Sequence, residues 1–202
     1  MATYPKAFIR FYASDMILTV DSDAAYLVMP QAHSRVAGYF YLNKKPTSAP
    51  LQQLNGSVLI ECKTLRHVVT SSAEAEVGGI FHNVQTLLPI RAILEALDHP
   101  QPPTPVKTDN TTAKGFIYNN IVLKKSKSWD MRYHWLRDRE NQKHINVYWD
   151  KGNNNDANYF TKHFPANEHC EQRNRYVQDK LAHMFSSILH MCNSITSSAR
   201  VC

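Results

Sequence analysis

Three β-rich segments in succession, joined by short polar links and followed by a capped helix, restrict this chain more than any other feature. Residues 16–22 (MILTVDS), 36–43 (VAGYFYLN) and 56–65 (GSVLIECKTL) carry the alternation and β-branched content of strands. Links this short favour antiparallel neighbours, so the three read as a meander. Ser71 with Glu74 three residues later fits a capping box, and Ile80, Val84, Leu87 and Leu88 follow at helical spacing. Pro89 is expected to kink or split that helix, with residues 90–97 continuing it. After a proline-rich loop come a short strand (105–109), a short helix (111–119) and a helix over 128–142 that turns Met131, Trp135 and Leu136 inward. A strand at 145–150 and a helix at 156–163 complete the pattern. The order βββαβααβα predicts an α/β fold: a mixed five-stranded sheet, three antiparallel strands then two further strands, flanked by helices.

The length of 202 residues suits one domain with tails. Residues 1–14 show no partner pattern and are expected to end a preceding segment, 15–165 to form the domain, and 166–202 a tail. A helical apolar stripe over 176–195 gives that tail one candidate helix. The net charge of +6 suits a polyanionic partner but is shared by many unrelated enzymes. Cys62, Cys170, Cys192 and Cys202 form no C-x-x-C pair, which argues against a structural zinc site, and His163, His169 and Cys170 read as surface residues. No run reaches the ~18 apolar residues of a membrane span, and no apolar leader opens the chain. An intracellular, cytoplasmic location without a membrane partner is the expectation.

Four motifs carry the chemistry: VDSDAAYL around Asp23, SSAEAEVGG around Glu76, VKTDN ending at Asp109–Asn110, and GNNNDANYFTKHFP around Asp156 and Asn158. Each is expected where a strand ends or a helix begins. Three carboxylates and a fourth oxygen, gathered from distant positions, are what a pair of hard divalent cations needs. Asp21 shares a sheet face with Asp23; Asp23 is favoured as the ligand because Ala24–Ala25 leave room beside it, and Asp21 as a rim charge. Glu76 heads the buried helical stripe, where a carboxylate needs a compensating cation, although a helix-dipole role would also place it there. Asp109 is equally suited to cap the helix at 111. Asp156 and Asn158 lie about 200° apart on a helix, so only one of them can face the cluster.

In order, SDAAYL, SRVAGYFYL, SSAEAEVGG, KTDNTTAKGF, KSWDMRYHWLRDR and ANYFTKHFP resemble the ribonuclease H domain of a Ty1/copia-type retrotransposon polyprotein, over roughly residues 7–177. The resemblance implies a ribonuclease H-like fold and a metal-dependent endonuclease that cleaves the RNA strand of RNA–DNA hybrids during reverse transcription, in a virus-like particle. It carries the catalytic, metal-holding carboxylates onto Asp23, Glu76 and Asp109. The family's fourth carboxylate, in its A-D-x-x-T-K motif, falls on Asn158 of ANYFTK, with Asp156 the alternative ligand. Two Mg²⁺ ions, or Mn²⁺, are the implied cofactors. Lys124, Lys125, Lys127, Arg132 and Arg137 are candidate contacts to hybrid phosphates. No Tyr-x-Asp-Asp palm motif is present, so polymerase activity would belong to an upstream reverse transcriptase portion. The amide at 158 leaves a second reading open, a catalytically impaired hybrid-binding remnant. An integrase-like transferase fits less well, because its Glu typically comes third, on a late helix, whereas Glu76 comes second.

Overall fold

The computed structural model describes residues 7–45, 54–118 and 127–179, with side chains for all of these except 116, 127–130 and 179. In chain order the elements are β1 (Ala7–Phe8), β2 (Ile17–Met29), β3 (His33–Asn43), β4 (Ser57–Thr64), α1 (Ser72–Ala96), β5 (Thr104–Thr108), α2 (Thr111–Ile117), α3 (Lys127–Asn141), β6 (Ile145–Trp149), α4 (Asn158–Thr161), α5 (Ala166–Tyr176) and β7 (Gln178–Asp179). The main sheet has the order β4-β3-β2-β5-β6. β2, β3 and β4 pair antiparallel, whereas β5 joins β2 and β6 joins β5 in parallel. This is the expected α/β arrangement with a mixed five-stranded sheet.

β2 runs seven residues beyond the segment expected from the sequence, which ended at Ser22. Its register with β3 continues through Asp23↔Ala37 and Ala25↔Arg35, so Asp23 lies inside the strand rather than at its end. On the other edge β2 pairs with β5 at Val20 and Asp21 alone. Past Asp21 the two parallel strands part, and a cleft opens between Asp23 and the end of β5.

The core lies between the sheet and the helices. Leu18, Val20, Phe40, Val106 and Val147 pack against Val77, Ile80, Val84 and Leu87 of α1, Ile117 of α2 and Leu136 of α3. α1 is not split at Pro89. Proline removes one backbone donor and so frees the carbonyl four residues earlier, at Gln85. Gln85 and Pro89 are both exposed, so water can satisfy that carbonyl. In α3 the inward residues are Tyr133 and Leu136, with Trp135 set edge-on to Phe81 at 5.1 Å. Met131, expected inward, is 78% exposed, because the stripe facing α1 passes through 133 and 136 instead.

The helix expected over 156–163 is a 3₁₀ turn at Gly152–Asn154 followed by the single turn of α4. α5 and β7 lie in the expected tail. Tyr176 of α5 is buried, stacks on Tyr159 at 4.7 Å and meets Tyr39 edge-on at 5.6 Å. β7 pairs with β1, joining the expected tail to the expected preceding segment. α5 is polar apart from this anchor (ANEHCEQRNRY), so no periodic stripe marks it in the sequence. Residues 180–195 of the apolar stripe lie outside the described residues.

Gly38 of β3 faces Asn83 of α1. A Cβ there would collide with the Asn83 amide and lie 2.7 Å from the Phe40 ring. Buried Asn83 donates to Ser22 Oγ at 2.9 Å and to the Ala37 carbonyl at 3.0 Å, so it has little room to give. Gly38→Ala should therefore destabilise the fold by about 1–3 kcal/mol, read as a lower denaturation midpoint at unchanged slope. An unchanged midpoint would show that helix and sheet are not in this contact.

Candidate active site

Asp23, Glu76 and Asp109 converge in the cleft where β2 leaves β5. One carboxylate oxygen of each lies within 4.8 Å of the others. Asp23 and Glu76 are buried and Asp109 is partly buried. The local sequence explains each placement. Ser71 caps α1, accepting from the Glu74 amide at 3.2 Å, and Glu74 reaches back to the Thr70 amide and hydroxyl. Glu74 is thereby occupied, and Glu76 points into the fold, where its Oε1 accepts from the Ala24 amide at 3.2 Å. At α2 the cap is Asn110, whose Oδ1 accepts from the Ala113 amide at 3.0 Å. The Asp109 carboxylate is left free to face the cleft.

Asn158 and Asp156 part company. The Asn158 amide donates to the Gly152 carbonyl at 2.6 Å, and its Oδ1 accepts from Lys162 Nζ at 2.8 Å. A Cβ on Gly152 would stand 2.8 Å from Asp109 Oδ2 and 3.8 Å from Asn158 Nδ2, which puts Asn158 on the rim of the cleft beside Asp109. Asp156 precedes α4 and turns away, pairing with Arg175 at 2.6 Å, and its carbonyl accepts from the Tyr176 hydroxyl at 2.8 Å. Burial, with the charge of Asp21 adding to it, lifts the Asp156 carboxyl to about 6. Asp21, expected as a rim charge, is fully buried and pairs with Lys107 at 2.9 Å.

Thr161 and Lys162 are site residues that sequence reasoning passed over. The Thr161 hydroxyl donates to Asp23 Oδ2, and Lys162 contacts Asn158 from the end of the same helical turn. The signal for both is the Thr-Lys of ANYFTK, which sits three and four residues after Asn158, one helical turn on.

The candidate nucleic-acid residues separate as well. Lys124 and Lys125 lie outside the described residues, and Lys127 opens α3. Arg137 of α3 lies over the Tyr133 ring and donates to its hydroxyl at 2.9 Å. Arg132 joins Lys63, Thr64, Arg66, His67 and His82 around a cavity of about 610 Å³ between the end of β4, α1 and α3. Lys63, Arg66, His67 and His82 were not expected there; they come from two segments with no shared basic run. Burial first, and then the Arg132 charge, hold the His67 and His82 imidazoles below their ordinary value, which favours their neutral forms.

No protein-family model matches the chain. It is similar, at 25% identity over 127 residues, to a retrovirus-related Pol polyprotein from transposon TNT 1-94 of Nicotiana tabacum. That match covers 62% of this chain and 10% of the polyprotein. Among solved structures it resembles the N-terminal RNase H domain of rv2228c from Mycobacterium tuberculosis, with a TM-score of 0.52 at 11% identity, covering 72% of this chain and 91% of that one. It also resembles LC11-RNase H1 in complex with an RNA/DNA hybrid, with a TM-score of 0.50 at 8% identity, covering 68% and 88%. The fold is that of ribonuclease H. The sequence resemblance is to the Pol polyprotein of a copia-type retrotransposon.

Within this ribonuclease H fold the three carboxylates repel one another. Burial pushes the Glu76 carboxyl well above its ordinary value of 4.5, and the charges of Asp23 and Asp109 push it further. Burial also raises Asp23, partly offset by the Thr161 hydroxyl and the Lys162 charge. A carboxyl raised on folding holds its proton more tightly in the native state. Its contribution to stability is full below the unfolded value and is lost as pH rises through the folded one. Metal-free protein should therefore lose stability as pH rises above the ordinary carboxyl range. Glu76→Gln should be more stable than wild type at pH 7 by about 0.5–2 kcal/mol, with the gap closing on acidification. Thermal melts in chelator across pH check both; a variant less stable than wild type at pH 7 would refute the repulsion.

Proposed function

We propose that this chain is a divalent-metal-dependent ribonuclease H that cleaves the RNA strand of RNA–DNA hybrids, as one part of a longer retroelement polyprotein. The carrying observation is the convergence of Asp23, Glu76 and Asp109 in one cleft, with Glu76 Oε2 buried and without a hydrogen-bond partner. An all-oxygen donor set this close, with one buried oxygen unpartnered, fits a hard cation such as Mg²⁺ or Mn²⁺. Such an ion supplies Lewis-acid charge at a phosphate and activates the attacking water.

The chain's own residues do the rest. Asp23, Glu76 and Asp109 would hold the ion, with Asn158 at the rim. Thr161 fixes the Asp23 carboxylate through its hydroxyl. In the pocket lined by Lys63, Arg66, His67, His82 and Arg132, the lysine and the two arginines supply positive charge for a phosphate backbone. Recognition of this kind reads groove shape and the 2′-hydroxyl rather than sequence. The matched relative is a Pol polyprotein, of which this match spans a tenth, and an upstream reverse transcriptase portion acting beside the chain in a cytoplasmic particle is part of the same reading.

The second reading, a hybrid-binding remnant that no longer cleaves, draws on one observation: an amide, already held by Lys162 and Gly152, at the fourth position. Labelled hybrid with Mg²⁺ on a gel separates the two. Cleavage of the RNA strand, lost by at least about a hundredfold in Glu76→Gln or Asp109→Asn, is the expected result. Binding without cleavage in wild type would favour the remnant.

The pocket gives an independent check. Arg66→Ala and Arg132→Ala should each weaken hybrid binding and reduce the slope of log affinity against log salt by about 1. An unchanged slope would remove the pocket from the interface.

A further inference from the structure

Asn158 carries no net charge, and its amide is oriented by two definite partners. The NH₂ group donates to the Gly152 carbonyl at 2.6 Å, which turns Oδ1 outward to Lys162 Nζ at 2.8 Å. The backbone fixes this geometry. The Asn158 carbonyl accepts from the Lys162 amide at 3.1 Å, so α4 closes after one turn with its lysine above its amide. Thr161, on the same turn, reaches Asp23. The Lys162 ammonium therefore stands over the rim of the carboxylate cluster, near enough to favour the charged forms of Asp23 and Glu76.

We propose that Lys162 supplies the second positive charge at this site, its ammonium donating to a nonbridging oxygen of the scissile phosphate, so that the site holds one divalent cation rather than two. The inference rests on the ribonuclease H reading and sharpens it. Three carboxylates are balanced by one divalent ion and one ammonium. A second ion on Asn158 Oδ1 would sit at about 2.1 Å from an oxygen that the ammonium already holds, and the two cations would repel at close range. An amide has no net charge with which to offset that repulsion. The exposed position of Lys162 leaves its flexible stem free to move from Asn158 to an incoming phosphate.

The test is a Mn²⁺ titration of the full chain by electron paramagnetic resonance, without nucleic acid. Wild type should bind one ion. Lys162→Ala should admit a second, weaker ion, and Asn158→Asp combined with Lys162→Ala should bind that second ion at least about tenfold more tightly. In the hybrid assay Lys162→Ala should lose cleavage at saturating Mg²⁺, and Lys162→Arg should restore part of it. Two ions of comparable affinity in wild type would overturn the role of Lys162 and leave the nuclease reading standing. A single ion that stays single in both variants would overturn it as well. No bound ion at all would overturn both readings.

Discussion

The Asp21–Lys107 pair, at 2.9 Å with Asp21 fully buried, is the contact on which the site's architecture depends. It joins β2 to β5 at the last register position the two strands share. Asp21 Oδ2 also accepts from the Asp156 amide at 3.1 Å, and Lys107 Nζ donates to the Asn154 carbonyl at 2.9 Å. One ion pair thus holds two strands and the loop that leads into α4. Asn155 adds a second tie, donating to the Ser22 carbonyl at 2.8 Å. Burial of Asp21 outweighs the Lys107 charge and still raises its carboxyl, and Oδ1 has no hydrogen-bond partner. A pair so desolvated adds little net stability while intact, yet removing one partner typically costs about 3–5 kcal/mol. Its value is positional: it clamps β2 and β5 together just before they part, and so sets where the cleft opens.

The cleft then concentrates negative charge that the fold itself opposes. Asp23 and Glu76 share a buried space with Asp109, and burial raises both of the former. Three carboxylates this close, with Glu76 Oε2 buried and unpartnered, are a cost to the fold that a bound cation would offset. The neighbouring groups are arranged to limit the strain without cancelling it. Thr161 and the Ala24 amide each give a hydrogen bond to the cluster, and Lys162 adds charge from its rim.

Much of this was legible in the residues because local rules agreed with the global fold. Alternation gave β2, β3 and β4, and Ser71 with Glu74 gave the start of α1 and so the inward face of Glu76. The strand–turn–cap run at 108–111 marks Asp109, and the choice of Asn110 as the cap is made only by the folded turn. What stayed hidden depends on tertiary context. Asp21 looks in sequence like a second turn aspartate, and only the parallel partner β5 supplies the lysine that buries it. α5 is polar along most of its length, and its one buried residue, Tyr176, packs against Tyr39 and Tyr159. The cationic pocket draws on the end of β4, α1 and α3, so no stretch of sequence displays it.

The choice between Asp156 and Asn158 shows why helix phase alone could not decide the fourth position. On one helix running through both residues, either could face the cluster. The chain instead makes a 3₁₀ turn at 152–154 and starts α4 only at Asn158. Asp156 falls in the link, where its amide is drawn to Asp21 and its carboxylate to Arg175. A carboxylate so engaged would have to give up the Arg175 pair to reach the cleft, and the Tyr176 hydroxyl bond to the Asp156 carbonyl fixes the backbone against that rotation. The helix that follows the clamp brings an amide, a hydroxyl and an ammonium to the rim in a single turn. The charge at the fourth position is therefore set by Asn158 and Lys162 together, not by either residue alone.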